Sequence, residues 1–176
     1  MSGRPSLSAE GRVWLITGPD GKLMDDIDTD MIYHNAHLAV TEVSEMGRYA
    51  FGNLEGWRDF PEKVRPGDIV IAGANFGCGS SRQHAVDCFR ALGVGALVVE
   101  SAGAIYFRNA VNSAFPLVIA PGIGESGIKQ GDSVSIDFET GLIKDLDRPV
   151  VFRARPFSAV QREIYLAGSL FAVRPS

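Results

Sequence analysis

Between Asp68 and Ala120, three short apolar runs alternate with two helix-length segments, and this alternation constrains the fold more than any other feature of the chain. The runs DIVIA (Asp68–Ala72), ALVVE (Ala96–Glu100) and LVIA (Leu117–Ala120) are apolar and largely β-branched, the pattern of buried strands. Between the first two, residues Arg82 to Leu92 place Ala85, Cys88, Phe89 and Leu92 at the i, i+3, i+4, i+7 spacing of one helix face, and Gly93 ends it. Gly103 to Ala114 fits a second helix, with Ile105, Asn109 and Asn112 at similar offsets. A strand–helix–strand–helix–strand run predicts parallel pairing with right-handed crossovers.

The flanks differ. Residues 1–11, rich in Ser, Gly and Pro, read as a loose tail, and Gly11–Thr17 (GRVWLIT) as a first strand. DDIDTDMI (Asp25–Ile32) is an acidic turn leading into a short apolar run. Thr41–Gly52 is expected to be helical, although Gly47 weakens it, and Gly56–Gly67, with two prolines and several charges, to be a surface loop. GDSVSIDF (Gly131–Phe138) alternates polar and apolar residues before the turn signal ETG. Leu142–Leu146 and Pro149–Ala154 follow as strands, predicted antiparallel, and Ser158–Ala167 as a short helix. The expectation is an α/β fold with a mixed sheet: a tail over 1–11, then one domain over 12–176.

A net charge of −4 argues against a general nucleic-acid binder. No apolar run approaches the ~20 residues that cross a bilayer, and MSGRPSLSAEGR lacks the apolar core of a signal peptide, so a cytoplasmic protein is expected. Two cysteines, Cys78 and Cys88, make neither a disulfide scaffold nor a CxxC zinc pair, and are too few for an iron–sulfur cluster. His34 and His37 have no third ligand nearby and read as loop histidines, so no metal is assigned to the chain.

The densest chemistry lies in GANFGCGSSRQHA, Gly73 to Ala85. It joins a strand to a helix, where exposed N–H groups and the helix dipole favour an anion. Gly73, Gly77 and Gly79 allow close backbone approach, and Arg82 suits a carboxylate. The spacing matches neither a dinucleotide nor a P-loop fingerprint. Two readings of Ser80 stay open: with Gln83 it forms a capping box, or it belongs to an anion or catalytic site. Likewise His84 reads as structural or site-forming, and Asn75 and Cys78 as loop support or substrate contacts.

NFGCGSSRQHA resembles the NFGxGSSREHA signature of the swivel domain of the aconitase superfamily. DIDTDMI resembles its (N/D)xDTDxI motif, and AGAIYFRNAVNSAFPLVI its SFxxIFxxNxxxxGxxP segment. The order agrees, and the likeness covers roughly residues 12 to 121. It implies a swivelling β/β/α domain with a mixed-sheet or barrel-like core. A free-standing chain of this size is similar to the small subunits of hydro-lyases: 3-isopropylmalate dehydratase in leucine synthesis, homoaconitase and 2,3-dimethylmalate dehydratase. The resemblance implies a separate large subunit holding a [4Fe–4S] cluster through three cysteines. By motif position, Ser80 is implied as the base, with Gly79, Ser81 and Arg82 binding substrate carboxylate. Asp28, Thr29 and Asp30 are implied as positioning or interface residues, with Asn75 and His84 placed beside them. His37-Leu38-Ala39 matches the loop near the substrate's variable substituent, where Ala39 suits an apolar group and not an extra carboxylate. His34, His37 and Gln83 depart from the family pattern. The remaining alternative is a catalytically silent anion-binding subunit. Alone the chain is expected to be inactive, with self-association left open.

Overall fold

The computed structural model describes residues 5–175. Its strands are β1 (Ser8–Leu15), β2 (Ile69–Ala72), β3 (Ala96–Val99), β4 (Leu117–Ile119), β5 (Ser133–Asp137), β6 (Leu142–Asp145) and β7 (Val151–Arg153). Helices α1 (Thr29–Ile32), α2 (Val43–Met46), α3 (Phe60–Lys63), α4 (His84–Ala91), α5 (Ala104–Asn112) and α6 (Ala159–Ala167) lie between and after them.

All seven strands form one sheet in the order β4-β3-β2-β1-β5-β6-β7. β1 divides it: Val13–Leu15 pair parallel with β2, whereas Ser8–Arg12 pair antiparallel with β5. The half from β1 to β4 is parallel, as the alternation of strands and helices predicts, and β5-β6-β7 is an antiparallel meander. The two ends approach one another. Past β7, the Arg155 N–H donates to the Ile119 carbonyl of β4 at 2.9 Å, and the Gln161 amide of α6 reaches the Leu117 carbonyl at 3.1 Å. The mixed sheet thereby curls into the barrel-like shape expected.

Each face of the parallel half has its own core. Ile69 and Ile71 point into the curl with Val98, Val134, Ile136 and Phe138. Val70 and Ala72 point the other way, with Leu97 and Val99, beneath Val86 and Phe89 of α4 and Tyr106 of α5. Strands buried on both faces read as unbroken apolar runs, which is why this half is plain in the sequence.

Three expectations need correction. The tail is shorter than 1–11: Ser8–Gly11 belong to β1, held by register with β5, and residues 1–4 lie outside those described. Thr41–Gly52 is not one helix but α2 followed by a 3-10 turn, Gly47–Tyr49. There Gly47 packs so close to Leu92 that a Cβ would sit 3.0 Å from it. Gly56–Gly67 is more than a surface loop, because α3 plants Phe60, 1% exposed, among Phe51, Phe89 and Trp14.

Candidate functional site

The glycine loop leaves the C-terminal edge of the parallel strands, where open α/β sheets place their ligands. The acidic segment runs beside it, joined by backbone bonds: Asp26 N–H to the Ala74 carbonyl (2.9 Å), Gly77 N–H to that of Ile27 (2.7 Å) and Thr29 N–H to that of Cys78 (2.9 Å). Two motifs far apart in sequence become one surface. Gly77 adopts φ 73° against Tyr106, and a Cβ there would meet the ring at 2.2 Å. Gly79, at φ 96°, turns the chain outward beside the Thr29 hydroxyl.

Beyond Gly79 the chain stays out of the helix until His84, and Gln83, in the cap position, makes no side-chain cap bond. The capping-box reading of Ser80 is therefore overturned. The Gln83 amide is drawn elsewhere, to Ser113 Oγ at 2.8 Å and Asp87 Oδ1 at 3.2 Å. Ser80 and Ser81 are exposed. The N–H groups of Gly79, Ser80, Ser81 and Arg82 meet no acceptor among the described residues. Four successive donors without an acceptor ahead of a helix are the chemistry that suits an anion.

Arg82 is anchored through one nitrogen. Its Nη1 donates to Asp30 Oδ1 at 2.8 Å and to the Tyr33 carbonyl at 3.1 Å. Nε and Nη2 have no partner among the described residues, so two parallel donors remain for a carboxylate. Asp30 also accepts from the Asn35 N–H at 3.1 Å and from the Asn53 amide at 3.0 Å. The Arg82 hydrogen bond is the main reason the Asp30 carboxyl is held below its ordinary range, against an opposing effect of burial. Ser81 Oγ accepts from the Asn109 amide at 3.3 Å, whereas Ser80 Oγ has no partner among the described residues.

The other expected residues frame this centre. Asp28 caps α1, accepting the Met31 N–H at 2.8 Å, and Thr29 is buried behind it. His84 lies 3.0 Å from the Val40 carbonyl and packs on Tyr33, whose hydroxyl donates to the His37 carbonyl at 2.9 Å. With His37 stacked on Tyr49, these contacts moor the loop carrying the exposed Leu38 and Ala39 beside the start of α4. Neither Leu38 nor Ala39 hydrogen-bonds to the Ser-Ser-Arg triplet. Asn75, left-handed at φ 57°, holds the base of the loop through Asp26 Oδ1 at 2.8 Å and Ser101 Oγ at 2.8 Å. Loop support is thus its structural role.

Sequence reasoning missed Tyr33, Asn53, Asn109 and Ser113. Asn109 had a signal, since it fills the Asn of the downstream motif; Asn53 had none. A cleft of about 820 Å³ adjoins the centre along Met31 and Asn53, but Ser80, Ser81 and Arg82 do not line it. Ser80 and Ser81 sit on open surface, with the Arg82 side chain sunk beside them. The chain's thiols do not fit an iron–sulfur cluster: Cys88 is wholly buried and its thiol is pushed far up by burial. Cys78 is raised by burial and by the carboxylates of Asp28 and Asp26.

The profile of the aconitase C-terminal domain matches residues 22–121, from the acidic segment through the glycine loop to the end of β4. The chain is similar to the isopropylmalate/citramalate isomerase small subunit of Methanocaldococcus jannaschii, 37% identical over 161 residues covering 92% of this chain and 90% of the relative. It is equally similar to the 3-isopropylmalate dehydratase small subunit of Caldicellulosiruptor bescii, 37% identical over 156 residues, 89% of this chain and 92% of that one. The crystal structure of a 3-isopropylmalate dehydratase from M. jannaschii superposes with a TM-score of 0.82 at 32% identity, covering 94% of this chain and 92% of that chain. Shared sheet, shared motifs and likeness along nearly the whole length lead to one conclusion: the chain belongs to the aconitase C-terminal domain family.

Proposed function

We propose that this chain is the small subunit of a heteromeric hydro-lyase that isomerises 3-isopropylmalate by dehydration and rehydration. One observation carries the reading: a serine free of partners stands beside four free backbone donors and a guanidinium fixed by one nitrogen. Ser80 is the base. In dehydration the proton on the carbon next to a carboxylate passes to Ser80 Oγ, the C–H electron pair becomes the double bond, and the hydroxyl departs. Return of that proton to the carbon that lost the hydroxyl, with readdition of hydroxide to the carbon that lost the proton, moves the hydroxyl to the neighbouring carbon. A serine hydroxyl is far too weak an acid to ionise in neutral water. The loop N–H groups, the start of α4 and Arg82 favour its anion once water is excluded.

Ser81 and the free edge of Arg82 bind a substrate carboxylate, and Asp30 with the Tyr33 carbonyl keeps that edge aimed. Leu38 and Ala39 carry no charge, which suits an isopropyl group. The open position of Ser80 and Ser81 supports a partner whose surface closes the site. The [4Fe–4S] cluster that the family implies is assigned to that large subunit, since two protonated, separately placed thiols cannot hold it here.

The test is co-production with the cognate large subunit, anaerobic cluster reconstitution, and absorbance of the unsaturated intermediate from isopropylmalate, with citramalate and 2,3-dimethylmalate in parallel. Turnover of isopropylmalate by the complex and none by the chain alone is expected. Ser80→Ala should lower kcat about 10³-fold. A complex that forms but does not turn over isopropylmalate, whatever it does with the other two, or a fully active Ser80→Ala complex, overturns the assignment.

A further inference from the structure

Two serines near the site are approached by amide donors in the same way. Gln83 Nε2 donates to Ser113 Oγ at 2.8 Å, and the Ser113 hydroxyl in turn donates to the Asn109 carbonyl. Asn109 Nδ2 donates to Ser81 Oγ at 3.3 Å. A hydroxyl has a single proton, so an oxygen that accepts from an amide must direct that proton elsewhere. For Ser113 the destination is the Asn109 carbonyl. For Ser81 no acceptor exists among the described residues, and the proton is left for an acceptor from outside the chain.

We infer that Asn109 is a positioning residue that makes Ser81 a hydrogen-bond donor to the substrate carboxylate. This rests on the proposed reading of Ser81 as a carboxylate-binding residue. The backbone that carries the amide is held in place: Asn109 lies on α5, its backbone carbonyl accepts from Ser113, and Ser113 is tied to Gln83 at the start of α4. The route runs from one helix to the next and ends on the serine hydroxyl. A donor at position 109 supports carboxylate binding through Ser81. An acceptor there captures the Ser81 proton and adds a negative charge facing the substrate.

The two amide substitutions therefore separate polarity from packing. In the reconstituted complex, Asn109→Ala should raise KM for isopropylmalate about 10-fold with kcat within about threefold of wild type. Asn109→Asp, closest in shape, should raise KM about 100-fold at pH 8. Relative to wild type at each pH, that KM should recover as the pH falls and the carboxyl becomes a donor; Asn109→Ala should show no such trend. Equal KM values for wild type, Asn109→Ala and Asn109→Asp overturn the inference while leaving the proposed function intact. A purely structural role gives matching losses in both variants without pH recovery, which also overturns it. A wild-type complex that does not turn over isopropylmalate overturns the proposed function instead. The hydrogen bond is then read in the isolated chain, where the Asn109 side-chain amide resonance must shift on Ser81→Ala; an unmoved resonance overturns the inference on its own.

Discussion

Two arginine–carboxylate clusters occupy opposite halves of the sheet and are buried in opposite senses. At the site, the Arg82 side chain is 15% exposed and that of Asp30 39%. In the antiparallel half, Arg148 is 32% exposed and its partners Asp132 and Asp145 are 14% and 0%. There the sunken group is the acid. Asp145 accepts the N–H groups of Asp147 and Arg148, Asp132 that of Lys129, and Asp147 that of Ser133. Arg148 closes over them, reaching Asp132, Asp145 and the Gly127 carbonyl through Nη2 alone, with its buried Nε unpartnered among the described residues. These three carboxylates lie within 4.8 Å of one another because they fold turns. At the site the sunken group is the cation, and its anchoring leaves a donor edge free. One cluster builds backbone, and the other aims a guanidinium.

The largest effects should divide along that line. Arg82→Ala is expected to cut kcat/KM of the reconstituted complex about 10⁴-fold, because a charged bidentate partner is lost. Arg82→Lys should rescue little, since an ammonium cannot both hold Asp30 and Tyr33 and present two parallel donors. The unfolding temperature should stay within a few degrees, because exposed Asp30 keeps Asn35 and Asn53. Asp145→Ala should do the reverse. It strands two N–H groups and part of Arg148 at a cost of about 3 kcal/mol, a fall of roughly 10 °C for a chain of this size, with kcat unchanged. Thermal melts and kinetics on the same four proteins decide it; an Arg82→Ala chain that melts like Asp145→Ala would erase the distinction.

Acid unfolding sharpens the same contrast at smaller scale. Burial works against ionisation of Asp132, but the Arg148 hydrogen bond and the Lys129 N–H outweigh it and hold the carboxyl at about 2. A carboxyl lower in the folded than in the unfolded chain contributes stability above its unfolded value, near 3.9. That contribution fades as the pH drops from about 4 to about 2. Arg148→Met should therefore move the acid-unfolding midpoint up by about one pH unit. Asp30 is lowered in the same direction but stands open to solvent, which screens it, so Asp30→Asn should leave the midpoint almost where it was. Urea midpoints measured from pH 2 to 7 compare the two.

The parallel half was legible because its strands are covered on both faces and its helices carry an apolar stripe, signals that need no tertiary knowledge. The glycine loop was legible through its unusual run of residue types. What joins the loop to the rest was not. Arg82 and Asp30 are 52 residues apart, and nothing local marks Asn53 as the third member of their group. The capping box, one of the two readings left open for Ser80, fails despite the right spacing of Ser80 and Gln83, because a left-handed Gly79 and the pull of Ser113 on Gln83 delay the helix. α3 was hidden among prolines and charges, with Phe60 the one residue that needed the core.

The smallest effect concerns Gln83, where the family signature has glutamate. The Gln83 amide donates to Ser113 and to Asp87, whose Oδ1 is also held by Arg90 at 2.8 Å. A carboxylate in its place donates to neither and faces the Asp87 carboxylate, although Arg90 offsets part of the repulsion. Gln83→Glu should cost about 1 kcal/mol at neutral pH, or 2–4 °C in melting. The repulsion raises the glutamate above its unfolded value, so the penalty is present above that value and absent once the group is protonated. Below about pH 4 it donates as the amide does. Melting curves at pH 7 and pH 4 test this sign. A variant as stable as wild type at pH 7 means that Ser113 has another anchor, and the route from α4 through Ser113 to Asn109 then loses its first step.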